Sequence, residues 1–311
     1  MTSVCFAAVK QDINTHRSTD SKLRSLVSLE QIEYDKLYSI FDPLVTEKLR
    51  TVTLKGQYRL FKTENEPINS SLYGSRVKLN FLLMYLKENP NQAYHGQLFN
   101  MSQSKVSEWI SYLLPVLELA LKKMGFMPQS GYQFTFPSEG AQYLLVDVTE
   151  RQVPRDVDNE NQQDDYSGKK KLHTMKNLAI SNENGYVLFV SDSYQGSTHD
   201  KTIWDQIQFD FGDLNVLADL GFLGAEKDQP NVILPYKKPK NKELTALQKD
   251  INRVIGSTRV RIEHAFSGVK RLKIIRNKIR LKTYSVRDQV FKIATALHNL
   301  RVYFRAIQTY S

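Results

Sequence analysis

The sequence of 311 residues predicts an α/β domain built on a mixed β-sheet and preceded by an all-α region. Apolar side chains recur at helical spacing before residue 125, whereas short apolar runs alternate with helical stretches after residue 140. At roughly 150 residues per domain, the length agrees with about two domains. We predict a helical segment at 1–45, a helical domain at 46–136 and the α/β domain at 137–305.

Within the all-α region, two helices joined by a short polar turn outline a helix-turn-helix. Residues 78–87 predict a mostly apolar helix, and the turn Asn89-Pro90-Asn91 leads to a short helix at 94–99. The run Met101-Ser102-Gln103-Ser104 offers an N-cap to a long helix at 105–123. The pattern leaves open whether these helices bind DNA or form a small bundle that touches nothing.

The segments on either side of the predicted helix-turn-helix are less regular. A further helix is predicted at 21–41, and Pro43 is expected to end it. A basic patch follows at 50–62. The stretch at 125–140 is rich in Gly, Pro and Ser, and it predicts a linker to the α/β domain.

The α/β domain is predicted from alternating apolar runs. A polar loop is expected at 151–165, and a hairpin turn at 182–185. The predicted strands span residues 143–148, 169–180, 185–192, 215–219 and 231–235. The predicted helices span residues 200–209, 243–273 and 286–305.

Two aspartates occupy strands that are otherwise apolar. Asp147 lies in a run that begins at Leu144, and Asp219 ends a run that begins at Val216. A carboxylate there costs free energy unless it is paired, hydrogen-bonded or bound to a metal. Two such groups at the strand ends of one sheet favour a hard divalent cation, Mg²⁺ or Mn²⁺. Either residue taken alone would also suit an ordinary strand end or turn.

Glu263 is the third acidic candidate. Its predicted helix carries an apolar face with Ile262 and Phe266, and Glu263 borders that face. An exposed ion pair with Arg259, four residues earlier, is the open alternative. Three carboxylates at one sheet edge would hold two metal ions, which activate a water or a 3′-hydroxyl for attack on a phosphodiester.

Other residues in the sequence give weaker signals. His199 and Asp200 close a strand and open a helix, where they would support the metal site or the DNA, although capping of that helix by Ser197 or Thr198 is the ordinary role. A single cysteine, Cys5, excludes a disulfide framework and a CxxC zinc module. The sequence has no nucleotide-binding or hydrolase fingerprint, no signal-peptide pattern and no apolar run of about 18 residues.

The basic charge is concentrated around Glu263. The formal net charge is +10, which favours polyanionic partners. Residues 237–287 hold 16 Lys or Arg against 3 acidic residues, a larger excess than that of the whole chain. A solvated helix face is the ordinary interpretation, but phosphate contacts fit this density better. Arg151 and Arg155 would reach DNA or form salt bridges in a loop. The residues expected to contact DNA are Ser102, Ser104, Lys105, Lys169, Lys170, Lys171, Arg259, Arg261, Lys270 and Arg271.

Five ordered motifs are found at residues 147–150 (DVTE), 166–174 (YSGKKKLHT), 196–201 (GSTHDK), 218–224 (ADLGFLG) and 259–265 (RVRIEHA). Together they resemble the bacterial insertion-sequence transposases of the IS-five family, whose catalytic part is the DDE superfamily endonuclease also seen in Harbinger-type transposases. The resemblance implies an RNase H-like fold with a helix-turn-helix domain ahead of it. It places the catalytic and metal-binding triad on Asp147, Asp219 and Glu263.

The resemblance also implies an activity. Such an enzyme cuts DNA at the terminal inverted repeats of its element with two Mg²⁺ (or Mn²⁺) ions and joins the 3′-hydroxyls to target DNA. Its partner is double-stranded DNA, and a homodimer or larger assembly is expected because two ends must meet. A cytoplasmic, nucleoid-associated location follows, or a nuclear one in a eukaryote. A regulator or domesticated transposase that holds DNA without cutting, and another RNase H-like nuclease, remain as alternatives.

Overall fold

The structure is a computed structural model that describes residues 20–63, 66, 70–136, 141–156, 158–281 and 283–310. Cys5 and the start of the segment predicted at 1–45 therefore lie outside the described residues. The chain divides into two compact units. One comprises the described residues up to Phe126 together with Arg271–Ile274, and the other comprises Met127–Lys270 and the described residues from Ile275 onward. Among the described residues, no helix combines the length and hydrophobicity needed to cross a bilayer.

The regular secondary structure of the N-terminal unit up to Lys123 consists of helices among the described residues, which confirms the predicted all-α region. Its helices are α1 (Asp20–Val27), α2 (Gln31–Thr51), α3 (Ser75–Glu88), α4 (Gln92–Leu98) and α5 (Gln103–Lys123).

The prediction that Pro43 ends a helix is wrong. Helix α2 continues through Pro43 to Thr51, and the predicted helix at 21–41 is divided at Ser28, which has φ 63°. Four side chains of α2 are buried at helical spacing: Tyr34, Leu37, Phe41 and Val45. Their burial outweighs the backbone hydrogen bond that Pro43 cannot donate.

Helices α3, α4 and α5 confirm the helices predicted at 78–87, 94–99 and 105–123. The side chain of Asn91 caps α4 at 2.8 Å, and the Ser102 hydroxyl caps α5 by accepting from the Lys105 amide at 3.3 Å. Between the two helices the chain turns so closely that a Cβ on Gly96 would overlap the carbonyl oxygen of Met101. Glycine at this position therefore permits the short turn.

The second unit contains the predicted mixed sheet. Its strands run in the order β1-β6-β5-β3-β9-β10, in which β3, β5 and β6 are antiparallel neighbours. Strand β9 is parallel to β3, and β10 is parallel to β9. This arrangement confirms the α/β class and agrees with an RNase H-like domain. The strands are β1 (Gln129–Ser130), β2 (Gln133–Thr135), β3 (Leu144–Gln152), β4 (Tyr166–Ser167), β5 (Leu172–Asn182), β6 (Val187–Val190), β7 (Tyr194–Gln195), β8 (Gln208–Asp210), β9 (Val216–Leu217) and β10 (Val232–Ile233).

Helices of this unit cover both faces of the sheet. Successive side chains of a strand point to opposite faces. Leu144 and Val146 of β3 pack into an apolar core with Trp204, while Asp147 and Arg151 lie on the other face. The helices of the unit are α6 (Asn159–Asp165), α7 (Asp200–Asp205), α8 (Ala225–Asp228), α9 (Ala246–Val269), α10 (Lys273–Arg276) and α11 (Tyr284–Tyr310).

Arg151 lies in a strand and not in the predicted loop. Its side chain is buried, so it does not reach DNA. Its Nη2 donates to Asn177 Oδ1 at 2.7 Å, and its guanidinium lies 4.5 Å from the ring centroid of Phe291 in α11. Arg151 therefore fastens α11 to the sheet. Arg155 is exposed and donates to Gln162 at 2.7 Å.

Three further predicted boundaries are wrong because side-chain burial extends or shortens the elements. The linker predicted at 125–140 includes β1 and β2, since Phe134 is buried in the core; residues 137–140 lie outside the described residues. The strand predicted at 169–180 begins only at Leu172, after a turn in which Lys171 has φ 55°. The helix predicted at 200–209 ends at Asp205, and Phe209 in β8 packs 4.2 Å from the Trp204 ring.

Asn299 fixes α11 against β6. Its amide accepts from the Val187 backbone N–H and donates to the Val187 carbonyl, both at 2.8 Å, and its side chain is fully buried. We expect Asn299→Ala to lower the free energy of unfolding by about 2–4 kcal/mol, because it leaves two buried backbone groups unpaired. Denaturant unfolding measures this change. Asn277→Ala, at an exposed asparagine, is the control, and an equal effect of both changes would contradict the prediction.

Candidate active site

The structure brings Asp147 and Asp219 to the same level on neighbouring parallel strands. Leu144 pairs with Val216 and Leu145 with Leu217, and the same register carries Asp147 level with Asp219 beyond the end of β9. Because β3 and β9 run in parallel, both carboxylates lie at one edge of the shared ladder. The sequence predicted this juxtaposition from the two apolar runs.

Asp219 is held in place by its own turn. Its Oδ1 accepts a hydrogen bond from the Gly221 amide at 2.8 Å, and its Oδ2 faces the guanidinium of Arg259. The turn Leu220–Phe222 begins directly after this cap, and Phe222 is buried in the core beneath it. The motif ADLGF thus combines a cap, a tight turn and an apolar anchor that orient one carboxylate.

Arg259 of α9 neutralises the aspartate pair. Its Nη2 lies 3.5 Å from Asp147 Oδ1 and 3.9 Å from Asp219 Oδ2. The side chain is 14% exposed, and its Nε is buried without a hydrogen-bond partner among the described residues. The sequence left open an ion pair between Arg259 and Glu263, whereas the salt bridges that Arg259 makes here are with the two aspartates.

Asp147 titrates in an unusual range. Burial raises its pKa from 3.8 to about 6; Arg259 opposes the shift, and the neighbouring charges of Asp219 and Asp200 add to it. A carboxyl group with a strongly shifted pKa beside specific charged partners is a feature of functional sites. It gains or loses its proton near neutral pH, in contrast to an exposed aspartate.

Asp200 lies beside the pair. A Cβ built on Gly221 would lie 2.9 Å from both Asp200 Oδ2 and Asp219 Oδ1, so the two carboxylates flank the same glycine. Lys176 in β5 donates to Asp200 Oδ1 at 3.0 Å. The expected capping by Ser197 or Thr198 is wrong, because α7 begins after His199, which is exposed and makes no side-chain cap.

Glu263 is not in contact with the pair. It is exposed on α9, four residues after Arg259 and therefore on the same side of the helix, about 6 Å farther along its axis. Among the described residues, no three His, Cys, Asp or Glu side chains lie close enough to hold a metal ion. Asp147 and Asp219 supply hard oxygen donors that suit Mg²⁺ or Mn²⁺, but the predicted third donor is not in place.

Lys270 lies within electrostatic reach of Asp147 and of Lys170. Burial lowers the pKa of Lys270, the positive charge of Lys170 lowers it further, and the negative charges of Asp147 and Glu150 act in the opposite direction. Lys169, Lys170 and Lys171 form the exposed turn before β5. Lysine ammonium groups that lie close together repel one another, and a bound phosphate group relieves that repulsion.

The remaining residues predicted to contact DNA lie in varied surroundings. Arg261 donates to the Glu183 carbonyl at 2.8 Å, which ties α9 to the turn before β6. Lys105 pairs with Glu108 at 2.6 Å, and Ser102 and Ser104 are exposed at the start of α5. Arg271 belongs to the segment Arg271–Ile274 that clusters with the N-terminal unit.

Sequence reasoning missed Lys176 and did not give Arg259 a role at the aspartates. Lys176 interrupts the buried run of β5 between Met175 and Asn177, and it bonds both Asp200 and the Thr198 carbonyl. A lysine in such a run signals a partner across the sheet, because an unpaired ammonium would be costly there. The position of Arg259 left no comparable signal, since its helix carries many exposed cations.

Two family models and a curated protein are similar to this chain. The family model of the DDE superfamily endonuclease matches residues 146–299, and that of the helix-turn-helix of DDE superfamily endonuclease matches residues 72–123. The probable transposase for insertion sequence element IS702 from Microchaete diplosiphon is 26% identical over 200 residues, which are 64% of this chain and 71% of that protein. No solved structure matches the chain significantly.

The first matched segment contains Asp147, Asp219 and Glu263, and the second contains α3, α4 and α5. Their order along the chain is the order that the sequence motifs predicted. The chain belongs to the DDE superfamily endonucleases of insertion-sequence transposases.

Proposed function

We propose that this protein is a DNA transposase that cuts phosphodiester bonds at the terminal inverted repeats of its own element and joins the 3′ ends to target DNA. The observation that carries the proposal is the level placement of Asp147 and Asp219 at one edge of the sheet. The two carboxylates are half-buried and repel each other, and a shared cation relieves that repulsion. A divalent metal meets this need and also suits phosphoryl transfer.

Asp147, Asp219 and Glu263 would hold Mg²⁺ or Mn²⁺, with two ions per site. The ions, when bound, activate the attacking oxygen and stabilise negative charge on the phosphodiester. Asp147 and Asp219 would fix the position of the site, because β3 carries the first and the turn directly after β9 holds the second. Glu263 completes it from α9, where its exposed side chain is able to change rotamer without disturbing the core.

The cations around the acidic site would bind and orient DNA. Lys170 and Lys270 gather positive charge next to Asp147, and Arg259 holds a guanidinium between the two aspartates. In the N-terminal unit, Ser102, Ser104 and Lys105 begin the second helix of the helix-turn-helix, where such helices contact DNA. A homodimer or larger assembly would hold two ends together.

A second candidate function is DNA binding without cleavage. It is favoured by the salt bridges of Arg259, which occupy both aspartates, and by the separation of Glu263 from them. A protein that stays in this arrangement would regulate its element or serve a domesticated role. Cleavage measured with and without a divalent metal separates the two candidates.

Replacing one aspartate tests the proposed chemistry. We expect Asp219→Ala to lower metal-dependent nicking of DNA that carries the element's ends by about 1000-fold, because a ligand of the catalytic cation is lost. Asp213→Ala, at an exposed acidic residue six positions earlier, is the matched control and should nick normally. Full activity of the Asp219 variant would refute the assignment.

A matched pair of variants tests which carboxylate is the third ligand. Glu263→Gln and Asp200→Asn each remove one negative charge with little change in size. If Glu263 is the ligand, its variant should lose nicking activity by about 1000-fold, whereas the Asp200 variant should lose about 10- to 100-fold as a charged neighbour of the site. The reverse order of losses, measured under the same metal conditions, would transfer the role to Asp200.

The raised pKa of Asp147 predicts pH-dependent cation binding. The pKa of Asp147 in the fold, about 6, lies above the ordinary 3.8. Protonation of Asp147 therefore stabilises the metal-free fold. This stabilisation is complete below about pH 4 and is lost as the pH rises through 6. A cation needs the ionised form, so Mn²⁺ should raise the unfolding temperature more at pH 7 than at pH 5. Asp147→Asn should abolish this difference and make the metal-free protein more stable at pH 7. Thermal unfolding at both pH values checks these shifts, and equal Mn²⁺ effects in the unsubstituted protein would contradict them.

A further inference from the structure

We propose that residues 52–63 form a separate DNA contact, in which apolar side chains enter the minor groove of duplex DNA. We call these residues the basic arm. The arm precedes the helix-turn-helix match at 72–123 and lies outside the endonuclease match at 146–299, so neither assigns it a role. The inference rests on the proposed DNA-binding function and adds a contact to it.

The arm exposes large apolar side chains to an unusual degree. Leu60 is 95% exposed, and Phe61 and Tyr58 are each 86% exposed. These are the highest values for large hydrophobic side chains among the described residues. The three lie within four positions of the chain, and large apolar side chains concentrated on the surface in this way mark an interaction site.

Backbone hydrogen bonds give the arm a defined shape. The Thr53 N–H donates to the Gln57 carbonyl and the Arg59 N–H to the Thr51 carbonyl, both at 2.8 Å. Val52 and Tyr58 form an antiparallel bridge, and Gly56 has the positive φ of 81° that the tip requires. The apolar side chains are therefore displayed by a hairpin-like structure that begins where α2 ends.

The charge of the arm favours DNA as its partner. The arm contains Lys55, Arg59 and Lys62 and no acidic residue, and Lys62 pairs with Glu47 of α2 at 3.0 Å. A second copy of this chain, which itself carries a formal charge of +10, would bring like charges together at this patch. DNA phosphates complement the charge, and proteins that bind the minor groove combine Lys or Arg with an apolar wedge such as Leu or Phe.

The base of the arm is anchored on α5. The Tyr112 hydroxyl donates to the Val52 carbonyl at 3.1 Å, and Lys48 donates to the Tyr112 carbonyl at 2.8 Å. Tyr112 lies seven residues after Lys105, which places both on the same side of α5 and about 10 Å apart along its axis. A DNA duplex that contacts the start of α5 would therefore also lie near the base of the arm, which is bound to the same side of α5.

The test compares a double variant, Leu60→Ser with Phe61→Ser, with the unsubstituted full-length protein. Ile32→Ser is the matched control, because Ile32 is an exposed apolar residue of the same unit outside the arm. The probe is a short mixed-sequence duplex with a fluorophore at each end. Anisotropy reports affinity, and energy transfer between the ends reports bending.

We expect the double variant to bind about tenfold more weakly and to lose the bend, since an apolar wedge supplies both. Its dependence on salt should stay unchanged, whereas Lys55→Gln should reduce the salt slope by about one. The control should match the unsubstituted protein. If thermal unfolding shows that the double variant is damaged, Phe61→Ser alone is measured in the same way.

Unchanged affinity and bending in the arm variants would overturn the inference. A change in oligomeric state by light scattering, with DNA binding intact, would also overturn it and assign the patch to self-association. The proposed function fails separately. If the protein bends DNA through the arm but never cuts it, only the catalytic proposal falls, and if it cuts DNA while the arm variants bind normally, only the arm inference falls.

Discussion

The close approach of Asp147 and Asp219 is the constraint on which the site depends. Adjacent parallel strands hold the two carboxylates level, and neither strand can move without breaking the ladder that joins them. Burial raises the pKa of Asp147, Arg259 opposes that rise, and the negative charge of Asp219 adds to it. A cation beside the pair relieves its repulsion. In the structure described here that cation is the guanidinium of Arg259.

The sheet and the helix contribute differently to the site. Strands β3 and β9 are packed on both faces, so Asp147 and Asp219 have little freedom. Helix α9 carries Arg259 against the pair and Glu263 one turn farther on, with an exposed side chain. On the proposed function, the two aspartates stay fixed while the side chains of Arg259 and Glu263 on α9 change position. The same backbone would then hold two arrangements of charge, one with Arg259 and one with Glu263 at the aspartates.

The sequence predicted the sheet and the aspartate pair because both depend on local pattern. A carboxylate inside an apolar strand is conspicuous, and two such strands in one sheet define an edge. Errors arose where tertiary packing overrides local signals: Pro43 stays helical under its buried neighbours, and Phe134 draws a Gly- and Pro-rich stretch into the core. The partner of Arg259 was not predictable, because an ion pair across the fold leaves no trace in spacing, whereas the alternative with Glu263 does.

Charge balance links metal binding to DNA binding on the proposed function. A divalent ion that takes the place of the guanidinium leaves Arg259 without its partners, and a buried unpaired guanidinium is costly. DNA brings phosphates to the side where Lys170 and Lys270 already gather, so a phosphate is the natural new partner for Arg259. The movement of Arg259 then favours both events at once, and each ligand lowers the cost of binding the other. The same helix that neutralises the aspartates in the absence of DNA would thus deliver Glu263 when DNA is bound.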